Sequence, residues 1–199
     1  MKVSLTKKLL LLLLVSCSLA TANAQIQFGL KVGANFATVT GSDATGAKST
    51  IGFNGGVMGK IPLTDMLSLQ PEIVYSGQGA KADDGSGGTA TVHLNYINVP
   101  VLLTYTLSEG VFFQLGPQVG FLMSAKASEG GNSVDIKSAY KSTDFGLAVG
   151  AGYLASGNIG INARYNLGLA NIGNGNPGSL KNSVIQVGLF YLLGDSGKK

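Results

Sequence analysis

The stretch Gln27–Ala37 reads QFGLKVGANFA and decides the fold. Every second residue from Phe28 to Phe36 is apolar, whereas the residues between them are glycine or polar, with Lys31 in the middle. Alternation with a period of two is typical of a β-strand that has one apolar and one polar face. The stretch therefore predicts an amphipathic strand that carries a lysine on its polar face.

The same alternation recurs seven more times along the chain. The further predicted strands are Ile51–Leu63, Leu67–Gly79, a strand that begins near His93 and ends at Leu107, Val111–Lys126, Asp144–Leu154, Ile159–Ala170 and Ser183–Leu193. Each runs about 11 or more residues, which is enough for a tilted strand to cross the hydrocarbon core of a bilayer. Pro100 falls on the polar face of the fourth strand, where it predicts one missing hydrogen-bond donor in the ladder.

The lengths of the connections predict the topology. Short turns alternate with four long connections rich in Gly, Ser, Asn and Asp: Thr38–Thr50, Ala80–Thr91, Ala127–Thr143 and Asn171–Asn182. Short turns at one end and long loops at the other are typical of outer-membrane barrels. The sequence therefore predicts an all-β, eight-stranded, up-and-down antiparallel transmembrane β-barrel over residues 25–193. Its termini are expected in the periplasm and its long loops outside the cell.

Residues 1–24 have the three parts of a secretory signal peptide. Three lysines precede the apolar run Leu9–Val15, and Ala22–Ala24 forms a small-residue cleavage site. We therefore expect cleavage after Ala24, and residues 194–199 form a short polar tail. The alternative is that Leu14–Cys17, which resembles a bacterial lipobox, makes Cys17 a lipid-modified N-terminus.

The charge of the chain argues against a nucleic-acid-binding protein, and its cysteine content excludes a disulfide within the chain. The formal net charge is +4, but three of the 14 basic residues lie in the leader, which leaves 11 basic against 10 acidic residues. A nearly neutral chain lacks the basic surface of a nucleic-acid-binding protein. Cys17 is the only cysteine, so no disulfide can form within the chain.

The charged residues of the predicted strands fall on the polar face. A cation on the lipid face at mid-bilayer costs about 2–4 kcal/mol, so such residues are expected inside the barrel. The predicted interior cluster is Lys31, Lys60, Glu72, Gln114, Gln118, Arg164 and Gln186. An eight-stranded barrel is just wide enough for side chains to fill it. The cluster therefore predicts an ion-paired, hydrogen-bonded plug, and the alternatives are a narrow conduit or an anion site.

Aromatic residues of the apolar face fall into two groups by depth. Such bands are expected at the two interfaces of a membrane barrel. The group at the short-turn end is Phe28, Tyr105, Phe113, Tyr153 and Tyr191, and the group toward the long loops is Phe36, Phe53, Tyr75, Phe121 and Phe145.

Several segments together resemble a known family. FGLKVGANFATV (28–39), the stretch from Gly52 to Lys81, YINVPVLLTYTL (96–107) and the closing strand are similar to the PorT-like outer-membrane β-barrel family of Bacteroidetes-type bacteria. The resemblance implies an outer-membrane barrel in contact with lipid. The last strand also resembles the signal read by the barrel-assembly machinery, with Gln186, Gly188, Tyr191 and Leu193 in its places. The polar tail 194–199 departs from that signal, which often ends the chain.

No catalytic, cofactor or metal site is predicted. His93 is the only histidine and is expected in a loop, and Asn95 stands where some barrel deacylases would need a serine. The acidic loop Asp83–Gly87 lacks the spacing of a calcium loop. We therefore expect a monomeric, non-enzymatic scaffold that presents four loops. The alternatives are an accessory component of a protein-secretion or envelope-assembly machine, and a narrow small-solute channel.

Overall fold

A computed structural model describes residues 26–83, 89–107, 109–155, 158–175 and 178–193, and the predicted leader and tail lie outside these ranges. The described chain forms nine strands and one 3-10 turn, Lys137–Ala139. The strands are β1 (Gln27–Thr40), β2 (Thr50–Pro62), β3 (Leu67–Asp83), β4 (Thr89–Thr106), β5 (Val111–Glu129), β6 (Asn132–Asp135), β7 (Thr143–Leu154), β8 (Ile159–Gly168) and β9 (Lys181–Leu193).

Eight of these strands close into a ring in which every pairing is antiparallel. The sheet order is β4-β3-β2-β1-β9-β8-β7-β5, and the additional pairing of β4 with β5 closes it. The first and last strands pair along their whole length, from Phe28 opposite Leu193 to Thr40 opposite Lys181. The predicted eight-stranded up-and-down antiparallel barrel is confirmed.

The two faces of the wall have opposite polarity. In β8 burial alternates at every residue, so that Asn162 and Arg164 are buried while Ile161 and Tyr165 are exposed. Large apolar side chains are exposed all around the ring, whereas most buried side chains on its inner face are polar. The wall is therefore apolar outside and polar inside, as the alternation in each strand requires.

Two of the predicted long loops are shorter than expected. β3 continues to Asp83 and β4 begins at Thr89, so most of Ala80–Thr91 is a hairpin rather than a loop. The predicted loop Ala127–Thr143 contains β6, which pairs only with the end of β5, and the 3-10 turn. Thr89, Thr91 and Val134, which are β-branched and favour strands, lie in these extensions of the ladders, although glycines and charged residues lie close by.

Three neighbouring ladders are interrupted at nearly the same height by prolines. Pro71 stands opposite Gly59, Pro100 opposite Glu72 and Pro117 opposite Val101, and at each site this pair and the next pair along the ladder are missing from the register. Proline has no N–H to donate, so each facing carbonyl loses its partner in the ladder. The missing donor predicted at Pro100 is therefore one of three. We call this interruption of the β2–β5 wall the proline row.

Apolar side chains fill the interior at both ends. At the short-turn end Met58, Phe112, Phe190 and Leu192 form a buried cluster, and the rings of Phe112 and Phe190 pack edge to face with centroids 5.8 Å apart. At the long-loop end a second cluster consists of Leu94, Tyr96, Leu122, Ala125 and Ile172. The polar interior lies between these two clusters. Among the described residues, no helix has the length and apolarity to cross a membrane.

Candidate functional site: the barrel interior

A buried carboxylate, Glu72 of β3, organises the middle of the interior. It accepts hydrogen bonds from Lys31 Nζ of β1 at 2.9 Å and from both terminal nitrogens of Arg164 of β8, at 2.9 and 2.8 Å. The side chains of these three residues are between 0 and 3% exposed. Buried charges are tolerated only when they are paired and hydrogen-bonded, and this arrangement meets that condition.

Neutral side chains complete this charged layer. Gln70 Nε2 donates to Glu72 Oε1 at 2.7 Å, and Gln114 Oε1 accepts from Arg164 Nη2 at 2.9 Å. Gln114 Nε2 in turn donates to Thr104 Oγ1 at 3.2 Å. The network thus links five strands of the ring, β1, β3, β4, β5 and β8, across its interior. Two cations share one carboxylate, so the layer carries a net charge of +1.

A second layer, of amides and a hydroxyl, lies nearer the long loops and is centred on Asn35. Asn35 Oδ1 accepts from Asn54 Nδ2 at 2.9 Å and from Gln186 Nε2 at 3.0 Å. Asn35 Nδ2 donates to Ser76 Oγ at 2.9 Å and to the carbonyl of Gly77 at 2.8 Å. The layer ties β1 to β2, β3 and β9 through neutral hydrogen bonds.

A further buried pair was not singled out from the sequence. Asn182 Nδ2 donates to Asp144 Oδ2 at 2.8 Å at the long-loop end of the interior. Both residues lie at the ends of strands, where the alternation that predicts the faces is least regular. Their position on the polar face of their strands is the only sequence signal that could have identified them.

Two residues of the predicted interior cluster stay outside both layers. Lys60 lines a cavity of about 420 Å³, counted with the space open to solvent, beside Met58 and Phe112 at the short-turn end. No described residue accepts a hydrogen bond from its ammonium group. Gln118 is partly exposed and joins no hydrogen bond with the described side chains.

The ten aromatic residues assigned to the two bands all have their side chains on the outer surface, between 40 and 63% exposed. Tyr105 stands opposite Phe113 near the short turns, and Tyr75, Ile97 and Phe121 form one cross-strand row nearer the long loops. Their registers therefore put the two groups at different heights.

The residues of the predicted assembly signal divide between the two faces of β9. Gln186 points into the interior, whereas Tyr191 and Leu193 are exposed outside at 45 and 47%. Gly188 stands directly opposite Gly33 of β1, where the two backbones approach closely.

The structure corrects the expectation for the only histidine. His93 was expected in a loop but lies within β4, exposed and opposite Gly79 of β3. In the acidic loop, residues 84–87 lie outside the described ranges. Within the described ranges, no three His, Cys, Asp or Glu side chains gather in a way that could hold a metal ion.

Comparisons with known proteins agree with this geometry. A family model described as "Outer membrane protein beta-barrel domain" matches residues 21–174. A search of curated proteins finds no match. Neisserial surface protein A is a similar solved structure, with 17% identity and a TM-score of 0.55 over 82% of this chain and 96% of that one.

A second similar structure is the attachment invasion locus protein Ail of Yersinia pestis. It has 18% identity and a TM-score of 0.48 over 84% of this chain and 98% of that one. At these identities the likeness concerns the fold alone, and the neisserial structure, with the higher TM-score, is the one that supports it.

Proposed function

The chain belongs to the family of outer membrane protein β-barrel domains, and on that premise we propose that it is a closed, non-enzymatic barrel acting as a membrane scaffold. In this proposal the four long connections face the outside of the cell, and the short turns and both termini face the periplasm. The barrel works as a monomer, since its ring closes within one chain.

The filled interior is the observation that carries this proposal. Glu72, Lys31 and Arg164 cross-link the middle of the barrel, and an apolar cluster lies at each end. An ion that crosses would have to break buried ion pairs and then enter apolar surroundings, and both steps are unfavourable. This favours a scaffold over a small-solute channel.

The long connections also support the presentation of a fixed surface. The backbone N–H of Lys141 donates to Ile172 O at 2.8 Å, and that of Asn174 donates to Ala139 O at 2.9 Å. The first long connection joins the last one through Asp43 N, which donates to Ser179 O at 3.2 Å. Loops held to one another by backbone hydrogen bonds offer a partner a surface with little ordering cost.

Single-channel recording in planar bilayers tests the closed interior. We expect no current over repeated insertions of the wild-type protein, whereas a steady unitary current would overturn the closed-barrel proposal in favour of the channel. A variant with Tyr96→Ala and Phe112→Ala, which removes one large side chain from each apolar cluster, serves as the positive control for a leak.

Cysteine labelling in intact cells tests the orientation. Ser133→Cys places a thiol on β6, two residues beyond the tip of the β5–β6 hairpin, and Asp65→Cys places one in a short turn; both positions are exposed. A membrane-impermeant maleimide should label the first variant in intact cells and the second only after lysis. The opposite result would reverse the proposed orientation.

We also propose that the chain is of the PorT-like type, as the resemblance of its strands implies.

The alternative function, an accessory component of a protein-secretion or envelope-assembly machine, would use the joined loops or the short turns as a docking surface. Photocrosslinking from position 133 and from position 65 in growing cells distinguishes the two. Capture of one defined secretion component would replace the scaffold proposal.

A further inference from the structure

A groove lies at the long-loop rim of the barrel, on its outer side. It runs between the segment 138–145 and the segment 170–174, and it encloses about 1180 Å³ when the space open to solvent is counted. Phe145 and Ala170 form its floor, and Lys141, Ser142 and Asn174 are among the residues of its upper wall.

Hydrogen bonds hold the two walls of the groove together. Besides the two backbone hydrogen bonds that join Lys141 to Ile172 and Asn174 to Ala139, Asn174 Nδ2 donates to Ser138 O at 3.2 Å. Asn171 fixes the second wall, because its side chain bonds the backbone of Gly173, Gly178 and Leu180 at 2.9–3.1 Å. The groove is therefore formed before any ligand arrives.

The groove changes from apolar to polar along its depth. Its floor continues into the outer apolar surface, where Phe145 is 54% and the neighbouring Leu169 is 55% exposed. Its upper wall carries exposed hydroxyl, amide and ammonium groups. Lys141 forms no ion pair with any described residue, so its charge is available to an anion.

We propose that this groove binds the phosphorylated headgroup of a membrane glycolipid. The phosphate lies on the Lys141 ammonium, the sugar hydroxyls meet Ser142 and Asn174, and an acyl chain runs down over Phe145 along the outer wall. An ammonium group suits phosphate, and the exposed apolar floor distinguishes a lipid from a soluble sugar phosphate. The inference rests on the proposed function, which places the long-loop rim at the outer leaflet, whereas binding to the purified barrel can be measured whichever end faces the cell exterior.

Retention of lipid by the purified barrel tests the proposal. Native mass spectrometry after exchange into detergent with lipid A should show a bound copy on the wild type. Lys141→Gln should reduce the bound fraction at least about fivefold, a loss of about 1 kcal/mol. Lys126→Gln, which removes an exposed lysine of β5 outside the groove, is the matched control and should retain the lipid. The heat-dependent gel mobility of each variant shows that it is folded.

Three further results would overturn the proposal. They are equal retention by the Lys141 and Lys126 variants, equal retention of lipid A from which the phosphates have been removed, and displacement of the lipid by millimolar inorganic phosphate. Displacement by phosphate would identify a free-anion site instead. Because detergent and nanodiscs expose the groove in either orientation, a failure here is distinct from a failure of the labelling or conductance experiments.

Discussion

Replacing the buried carboxylate tests whether the interior network stabilises the barrel as the geometry requires. Glu72→Gln keeps the size of the side chain but removes the charge that faces Lys31 and Arg164. The carboxylate accepts four hydrogen bonds of 2.7–2.9 Å, three of them from cations. An amide oxygen can replace only part of that set, and two cations, each no more than 3% exposed, are left facing each other.

Breaking a buried ion pair by removal of one partner costs about 3–5 kcal/mol. The two pairs share Glu72, so their costs do not simply add, and we expect a loss of about 4 kcal/mol in the free energy of unfolding. That loss corresponds to about a thousandfold change in the folding equilibrium. Urea unfolding in phospholipid vesicles measures this loss in the free energy of unfolding. The transition is followed by circular dichroism and by tyrosine fluorescence, because the chain contains no tryptophan.

Two further variants make the result decisive. Glu109→Gln removes an exposed carboxylate from a short turn and should change the stability by less than about 0.5 kcal/mol. The triple variant Lys31→Met, Glu72→Leu, Arg164→Met removes the whole charged layer and should regain most of the loss, since apolar replacement of a complete buried ion network is often neutral. A Glu72→Gln protein within about 1 kcal/mol of wild type would refute the reasoning.

Three other perturbations test separate features of the wall. Pro71→Ala gives β3 an N–H that can donate to the carbonyl of Gly59 on β2, so the new amide of residue 71 should exchange slowly, with a net gain of up to about 1 kcal/mol; rapid exchange of that amide would contradict the proline row. Gly33→Ala puts a methyl group against Val187 O and should cost about 1–3 kcal/mol in the free energy of unfolding, whereas Gly59→Ala, with its nearest atom at 3.7 Å, should leave it nearly unchanged; equal effects would refute the close approach. Tyr191→Ala should slow insertion by purified barrel-assembly machinery severalfold while Tyr153→Ala, an equally exposed tyrosine, should not; equal rates would remove the proposed assembly signal.

The ring and its two faces could be predicted from sequence because a strand fixes the direction of each side chain by position alone. Lys31, Glu72 and Arg164 were placed in the interior for this reason. Their convergence could not be predicted, since they lie 41 and 92 residues apart and meet only through the register of four successive pairings, from β3 through β2, β1 and β9 to β8. Register depends on turns and cross-strand packing, which period-two patterns do not encode.

The rim of the barrel was harder to predict than its middle. β6 and the extended hairpin of β3 and β4 are rich in glycine, serine and charged residues, a composition that favours loops. Lys60 and Gln118 lie on the polar face of their strands, yet neither joins the interior layers. Alternation predicts the direction of a side chain, but it does not predict whether a partner lies within reach.

The proline row makes the mechanical stiffness of the cylinder uneven. The register is interrupted at the prolines in each of the three pairings β2–β3, β3–β4 and β4–β5. The registers of the five other strand pairings of the ring are continuous over the described residues. Lateral pressure or a change in bilayer thickness should therefore deform the circumference toward an oval, with the bending concentrated on the β2–β5 side of the ring. The opposite side, centred on β8 and β9, should keep its curvature.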